Sequence, residues 1–435
     1  MPDLLVTGGP LLVDHQEFFD RGAVLIRDGL VRAAGDAAWL GTAPPGVEVL
    51  DAAGGLIMPG LVNAHCHAAM VLFRGLADDL ELHTWLSEHI FPAEATWVDQ
   101  AMVEACTSLA AAEMLLAGIT TVCDAYFCMD GAVAALAAAG LRAVAAQGLI
   151  DFPAPGAPDP AQALEVCRRF IERWQGAGEL ITPAIFAHST DTCSADTLRS
   201  AADLAGRRGC PLLIHLSESR GSVDQCRRDH GLTPVAWLES LGVLETLTAG
   251  VHGVWLEPAD IELLARRQVG LVLCPESNMK LASGAADHRA LAAAGLTLGL
   301  GTDGAASNNN LDILGEAASL ARLAKVTAGD PAALPVELVL ETALAGGAAA
   351  VGLGGKVGAL KPGMAGDLIV VDLAAPHLTP RYSLASHLVY AARAADVRHV
   401  VVAGRRVVAD RRLLTMDVDQ TMARVRELAA RVASG

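Results

Sequence analysis

The sequence predicts a (β/α)8 barrel of the TIM type that carries a small β-sandwich built from both chain ends, an α/β fold. Three observations predict it. Between about Gly60 and Gly355, eight short β-type runs alternate with longer Ala/Leu-rich runs of helical pattern. Alternation of this kind implies βα units with parallel pairing, and a span of ~295 residues suits a barrel of ~250 residues plus insertions. Short β runs with turn residues such as Asp28-Gly29 occupy both flanks.

In chain order, residues 1–56 supply the first half of the sandwich through β runs at 3–7, 22–34 and 47–51. Residues 57–355 form the barrel. Its strands are expected at Leu56–Val62, Ile119–Cys123, Arg142–Leu149, Leu180–Ala187, Pro211–Leu216, Leu247–Val251, Val269–Leu273 and Leu296–Leu300. The Pro/Gly-rich stretch Asp151–Pro160 reads as a loop after the third strand. Residues 356–435 return to the sandwich through Gly366–Leu373 and Val397–Val408, and Met416–Ala433 has the pattern of an amphipathic helix.

Composition excludes several classes of partner. The 435 residues hold 32 Lys plus Arg against 49 Asp plus Glu, a net charge of −17 that repels phosphate backbones, and no basic-helix or zinc-finger pattern appears. Nucleic acid is therefore not an expected partner. The longest apolar stretch, Val133–Ile150, contains Arg142 and Gln147 and reads as helix, turn and strand, so no membrane span is expected. The first basic residue is Arg21, which argues against a secretory leader. Nine cysteines without a C-x-x-C pair suit reduced thiols and a cytoplasmic setting.

Polar residues recur where the predicted strands end. His65 and His67 follow the first strand, and residues two apart in extended chain share a face, so both imidazoles can converge on one ion. His215 ends the fifth strand, His252 the sixth, and Asp303 follows the eighth. The C-terminal mouth of a barrel is where such residues become neighbours. Together they offer neutral nitrogens and a carboxylate suited to Zn²⁺ or Fe²⁺, with a position left for water.

These segments resemble the amidohydrolase superfamily, namely Pro59-Gly-Leu-Val-Asn-Ala-His-Cys-His67, Ile214-His-Leu-Ser-Glu218, Val251-His252, Cys274-Pro-Glu-Ser-Asn-Met-Lys280 and Leu300-Gly-Thr-Asp-Gly-Ala-Ala-Ser-Asn308. More narrowly they are similar to its methylthioadenosine/S-adenosylhomocysteine deaminases and their chlorohydrolase relatives. Gly358–Asp367 matches the family's return into the small β domain, so the likeness spans nearly the whole chain. The resemblance implies one divalent metal, Zn²⁺ with Fe²⁺ as the alternative, on His65, His67, His215 and Asp303. Members with two metals bridge them by a lysine on the fourth strand, and Leu180–Thr190 has none.

It further implies that Glu218 moves a proton to the purine ring nitrogen, that His252 orients the attacking hydroxide, and that Asp303 accepts the water's proton as well as binding metal. Glu94 would accept hydrogen bonds from ribose hydroxyls, Trp85 would cover the substrate and His188 would contact it. The family usually continues His-x-Pro-Tyr after this histidine, whereas this chain has His188-Ser-Thr-Asp-Thr-Cys193. Gln147 stands where members accepting S-adenosylhomocysteine can present an arginine.

The expected activity is hydrolytic deamination of an adenosine-type nucleoside such as 5′-methylthioadenosine, adenosine or 5′-deoxyadenosine, with S-adenosylhomocysteine as a further candidate. Two alternatives stand beside it: another amino-heterocycle (guanine or 8-oxoguanine, a pterin, an s-triazine), or a silent scaffold that only binds. Five convergent polar groups in an apolar mouth speak against the scaffold. A homo-oligomer is expected.

Overall fold

The computed structural model describes residues 3–40 and 45–434. Strands β1 (Leu4–Leu12), β2 (Phe18–Arg27), β3 (Leu30–Asp36), β4 (Glu48–Asp51) and β5 (Leu56–Pro59) come first. The barrel strands follow: β6 (Leu61–Cys66), β7 (Ile119–Tyr126), β8 (Arg142–Leu149), β9 (Ile181–Ser189), β10 (Leu212–Leu216), β11 (Ala249–His252), β12 (Gly270–Leu273) and β13 (Leu298–Leu300). β14 (Leu368–Val371), β15 (Val397–Val402), β16 (Arg405–Ala409) and β17 (Arg412–Leu413) complete the set, and the helix Val418–Ser434 ends the chain.

β6 to β13 pair in chain order, every adjacent pair parallel. β6 is buried along its whole length, as expected of a strand covered on both faces. The seam between β13 and β6 is closed largely by side chains. Asn63 donates to Thr302 Oγ1 at 2.8 Å and accepts from the Thr302 amide at 3.1 Å, and the Asp303 amide donates to the His65 carbonyl at 3.0 Å. Gly301 permits this approach, because a Cβ there would lie 2.8 Å from the His65 backbone. The last barrel strand thus delivers Asp303 beside His65.

The strand expected at Leu56–Val62 is two strands. β5 belongs to the flanking sheet and β6 to the barrel, with Gly60 between them, where a Cβ would collide with the Thr120 side chain. An unbroken apolar run conceals this change of sheet, since both halves are buried. The flanking strands form one hydrogen-bonded sheet in the order β17-β16-β15-β14-β5-β1-β2-β3, with β4 beside β1. β1 joins its parts by pairing with β4 through Leu4–Thr7 and with β5 at Leu11. The sheet curls around its own core, which includes Val6, Leu11, Ile26, Ile57, Leu368 and Val401.

This sheet docks at the N-terminal end of the barrel strands. Gly118, just before β7, would meet Ile369 and Val397 at 3.0 Å if it carried a Cβ. Arg142, the first residue of β8, binds Asp367 in two-point fashion at 2.8 and 3.1 Å. The opposite mouth is left to the loops. Among the described residues no helix is long and apolar enough to cross a membrane.

Candidate active site

At the C-terminal mouth, a cavity of about 1310 Å³ is lined by residues from the loops after all eight barrel strands and from the insertion after β6. His65 and His67 flank the last residue of β6, with ring centroids 4.6 Å apart. His215 from β10 and His252 from β11 complete a group of imidazoles, their centroids 5.2 Å apart. Ligand atoms of His65, His215, His252 and Asp303 all lie within 4.8 Å of one another. His67 reaches the same point, its Nε2 being 3.2 Å from Asp303 Oδ1.

Three strand-end residues hold left-handed backbone without being glycine: Ser217 (φ +51°), His252 (φ +76°) and Asp303 (φ +58°). Such conformations cost on the order of 1–3 kcal/mol each and persist where surrounding bonds fix them. Here the Gly253 amide donates to Leu216 O at 3.0 Å and the Trp255 amide to Ser217 O at 2.9 Å, fastening the ends of β10 and β11 together. The effect is to turn each functional side chain toward the barrel axis.

The donor set fits a metal ion. His67 Nδ1 donates to the Ala125 carbonyl, which leaves Nε2 of the neutral ring with a lone pair. That lone pair faces a carboxylate oxygen, and the His65 and His215 Nε2 atoms face one another at 3.3 Å. The His67 lone pair and the Asp303 carboxylate, opposed in this way, suit a cation between them. His65 Nε2 is 3.4 Å from the same Asp303 oxygen. These separations match the edge of a tetrahedron with bonds of ~2.0–2.1 Å, which is ~3.3–3.4 Å.

Burial lowers the His67 ring, but the Asp303 carboxylate outweighs it and raises His67 above its ordinary value; the other ligands behave as a metal site requires. Burial, with further depression from neighbouring imidazoles, pushes the His65 ring down to about 4 and the His215 ring well below its ordinary value, so both are neutral as ligands must be. Burial would raise the Asp303 carboxyl, but the close His65 and His67 rings outweigh it and hold Asp303 well below the usual carboxylate range. Glu218 behaves oppositely. Burial, then the nearby Asp303 charge, pushes it up to about 8, and its Oε2 lies 3.6 Å from His252 Nε2.

The other predicted site residues fall into two groups. Glu94, Trp85 and His188 line the cavity. Glu94 sits on the short helix Phe91–Trp97 and accepts a hydrogen bond from Tyr126. Trp85 is buried and its indole Nε1 has no partner among the described residues. His188 is steadied through Nδ1 by the Thr192 hydroxyl at 2.9 Å, so the unusual segment after it supplies its own support. Gln147 is placed differently. Its amide accepts from the Met129 amide at 3.2 Å and donates to Gly148 O at 3.3 Å, and it is absent from the cavity lining. Its expected substrate contact rests on the resemblance, and here its side chain is engaged at the open N-terminal turn of the helix Met129–Ala139.

Several residues were not singled out from the sequence. Tyr126, Ser277, Asn278 and Ser307 each bond directly to a predicted site residue. Their signal was available, since Tyr126 ends β7 and the others lie within the segments Cys274–Lys280 and Leu300–Asn308.

Comparison with known proteins places this architecture. The amidohydrolase family model matches residues 56–407. The chain belongs to the amidohydrolase family. Within that family it is 48% identical over 98% of its length to 5-methylthioadenosine/S-adenosylhomocysteine deaminase of Syntrophobacter fumaroxidans, covering 97% of that protein. The amidohydrolase is 42% identical to the protein of the same name from Pelotomaculum thermopropionicum, over 94% of this chain and 95% of that one. Among solved structures, a zinc-bound adenosine deaminase of Xanthomonas campestris superimposes with a TM-score of 0.96 at 35% identity, over 100% of this chain and 99% of that one.

Proposed function

We propose that this amidohydrolase is a metal-dependent aminohydrolase that converts an adenosine-type nucleoside to the inosine analogue and ammonia. The observation that carries the reading is the pairing, in one cavity, of the His/Asp cluster with Glu94 held by Tyr126. The first group suits hydrolysis at a ring carbon, and the second offers a carboxylate to a vicinal diol. The names of the relatives at 48% and 42% identity support it.

His65, His67, His215 and Asp303 would hold one ion, with zinc favoured by the nitrogen-rich set. When bound, that ion supplies Lewis acidity and a water of lowered pKa. The chain's residues do the rest. Glu218, protonated in its buried setting, delivers a proton to N1 as C6 becomes tetrahedral. Asp303 takes a proton from the attacking water, and His252 holds that water in line. Glu94 receives the ribose hydroxyls, His188 contacts the base, and Trp85 covers the ring with a free indole donor.

Ammonia release from the zinc-loaded protein, measured across methylthioadenosine, adenosine, guanine, a pterin and an aminotriazine, tests the reading. Turnover of the adenosine nucleosides is expected. Ammonia from guanine, the pterin or the triazine alone would overturn it.

A further inference from the structure

The segment Cys274–Lys280 carries part of the family likeness, yet none of the roles above uses it. It forms the short helix Pro275–Lys280 directly after β12. That helix stands between His252 on β11 and Asp303 after β13. Its polar side chains reach four different places. Glu276 accepts from Asn310 at 2.8 Å, Ser277 donates to Asp303 Oδ2 at 2.7 Å, and Asn278 Nδ2 lies 3.1 Å from His252 Nδ1. Lys280 donates to Ala306 O at 3.2 Å and pairs with Asp78 at 2.6 Å.

Ser277 and Asn278 are both buried, where a polar group is costly unless satisfied. Each directs its donor at a functional residue. Ser277 shares Asp303 Oδ2 with Ser307, whose hydroxyl donates to it at 2.6 Å. Two hydroxyls on one oxygen stop the carboxylate from rotating and leave Oδ1 alone to face His65 and His67. Asn278 acts on the ring beside it. An amide NH₂ can only donate, so His252 Nδ1 must accept and the ring proton sits on Nε2. Nε2–H then points toward Glu218 and the cavity as a donor. That atom cannot also offer a lone pair to a metal, which separates His252 from the four ligands although its nitrogen is equally close to them.

We infer that Ser277 and Asn278 are positioning residues of the reaction: Asn278 fixes His252 in the Nε2–H tautomer, and Ser277 with Ser307 fixes Asp303 with a single free oxygen. The kinetic consequence rests on the deaminase reading, whereas the tautomer does not. Zinc-loaded enzyme with ¹⁵N-labelled histidine, examined by long-range ¹H–¹⁵N correlation, reads it directly, with the His252 signals identified by their loss in His252→Gln. A protonated Nε2 and bare Nδ1 are expected, and the reverse overturns the assignment whatever the substrate proves to be.

The variants read the consequence. Asn278→Asp has the same shape but can only accept, so it draws the ring proton to Nδ1. We expect kcat to fall by about 10–100-fold with zinc content and KM nearly unchanged. Asn278→Leu, of similar size and without polarity, should fall less. Equal losses in the two variants, or wild-type kcat in Asn278→Asp, would show a packing role only. The Ser277→Ala/Ser307→Ala protein should lose at least about 10-fold in kcat at full zinc occupancy. Restoring one hydroxyl as Ser277→Ala/Ser307→Thr should recover part of that loss, and no recovery would overturn the Asp303 half. Failure of the deaminase reading is distinguishable, because wild-type enzyme would then release no ammonia from any adenosine nucleoside.

Discussion

The Tyr126 hydroxyl donates a 2.6 Å hydrogen bond to Glu94 Oε1, joining the end of the second barrel strand to the insertion that follows the first. Burial pushes the Glu94 carboxyl up to about 7, with the Tyr126 bond opposing the rise. The carboxyl is therefore neutral below about 7 and ionised above it. The ionised form accepts from two ribose hydroxyls more strongly, because the neutral form must also place its own O–H. We expect kcat/KM for an intact nucleoside to rise with pH through this region, and the limb to be absent for a 2′,3′-dideoxynucleoside. Tyr126→Phe removes the bond that favours ionisation, so the limb should move to higher pH. Identical profiles for the two substrates would remove Glu94 from ribose binding.

Replacing His65, His67 or Asp303 with Ala is expected to abolish zinc binding and turnover while leaving the barrel folded. These residues lie at the mouth, where strand-end side chains contribute to chemistry more than to stability. Metal analysis beside far-UV circular dichroism checks the outcome. Stoichiometric zinc in folded His67→Ala would sink its assignment as a ligand.

Glu218→Gln keeps the shape of the side chain and removes its proton. Zinc should remain bound, and kcat should fall by about 10²-fold or more, the scale of a lost general acid or base. Near-normal turnover would place proton transfer elsewhere.

Strand alternation and the strand-end histidines were legible in the sequence because both follow from the chain's own periodicity. Seven of the eight expected barrel runs overlap a single barrel strand, and the remaining one, the first, divides at Gly60. That division was hidden because β5 and the start of β6 are both apolar, so the Pro59-Gly60 pair that marks the change of sheet sits inside one apolar run. Gln147 shows a different limit. Position at a strand end is visible in sequence, but the direction of its side chain depends on which unpaired backbone group lies nearest, here the Met129 amide. The bonds from Ser277 and Ser307 to Asp303 join residues 26 and 4 positions apart, and no local pattern announces the longer one.

Arg142 and Asp367 tie the barrel to the flanking sheet, with the carboxylate also accepting from the Ala403 amide at 2.6 Å. Both side chains are largely removed from solvent, at 12% and 2% exposure. Removing one partner of such a pair strands the other charge, at a cost of about 3–5 kcal/mol. Arg142→Ala should therefore lower the denaturation midpoint sharply while leaving kcat at low temperature near wild type, since the pair lies at the end of the barrel away from the cavity. An unchanged midpoint would show that the sheet is held by its apolar contacts alone.

The same placement bears on the 5′ group of the substrate. A homocysteine tail ends in a carboxylate, which a guanidinium binds in two-point, charge-assisted geometry. Gln147 precedes Gly148-Leu149 at the end of the third barrel strand, and its amide is already engaged. Arg142 on the same strand is committed to Asp367 at the far end. Asp151 and Asp191 line the cavity near His188, and Asp151 is held there by the Ser194 amide and the Thr197 hydroxyl. Two carboxylates beside the tail would repel an anionic group. Arg220 and Arg228, on the helix after β10, also line the cavity, but Arg220 is drawn over the Trp255 ring at 5.6 Å and Arg228 donates to Gln225 at 2.6 Å. Methylthioadenosine, adenosine and 5′-deoxyadenosine should therefore be better substrates than S-adenosylhomocysteine. Measuring kcat/KM for methylthioadenosine and S-adenosylhomocysteine on one preparation decides it, and an equal or higher value for S-adenosylhomocysteine would overturn the preference. Asp151→Asn should narrow the gap between the two by raising the value for S-adenosylhomocysteine, because it removes one of the repelling charges while keeping an acceptor for the Thr197 hydroxyl.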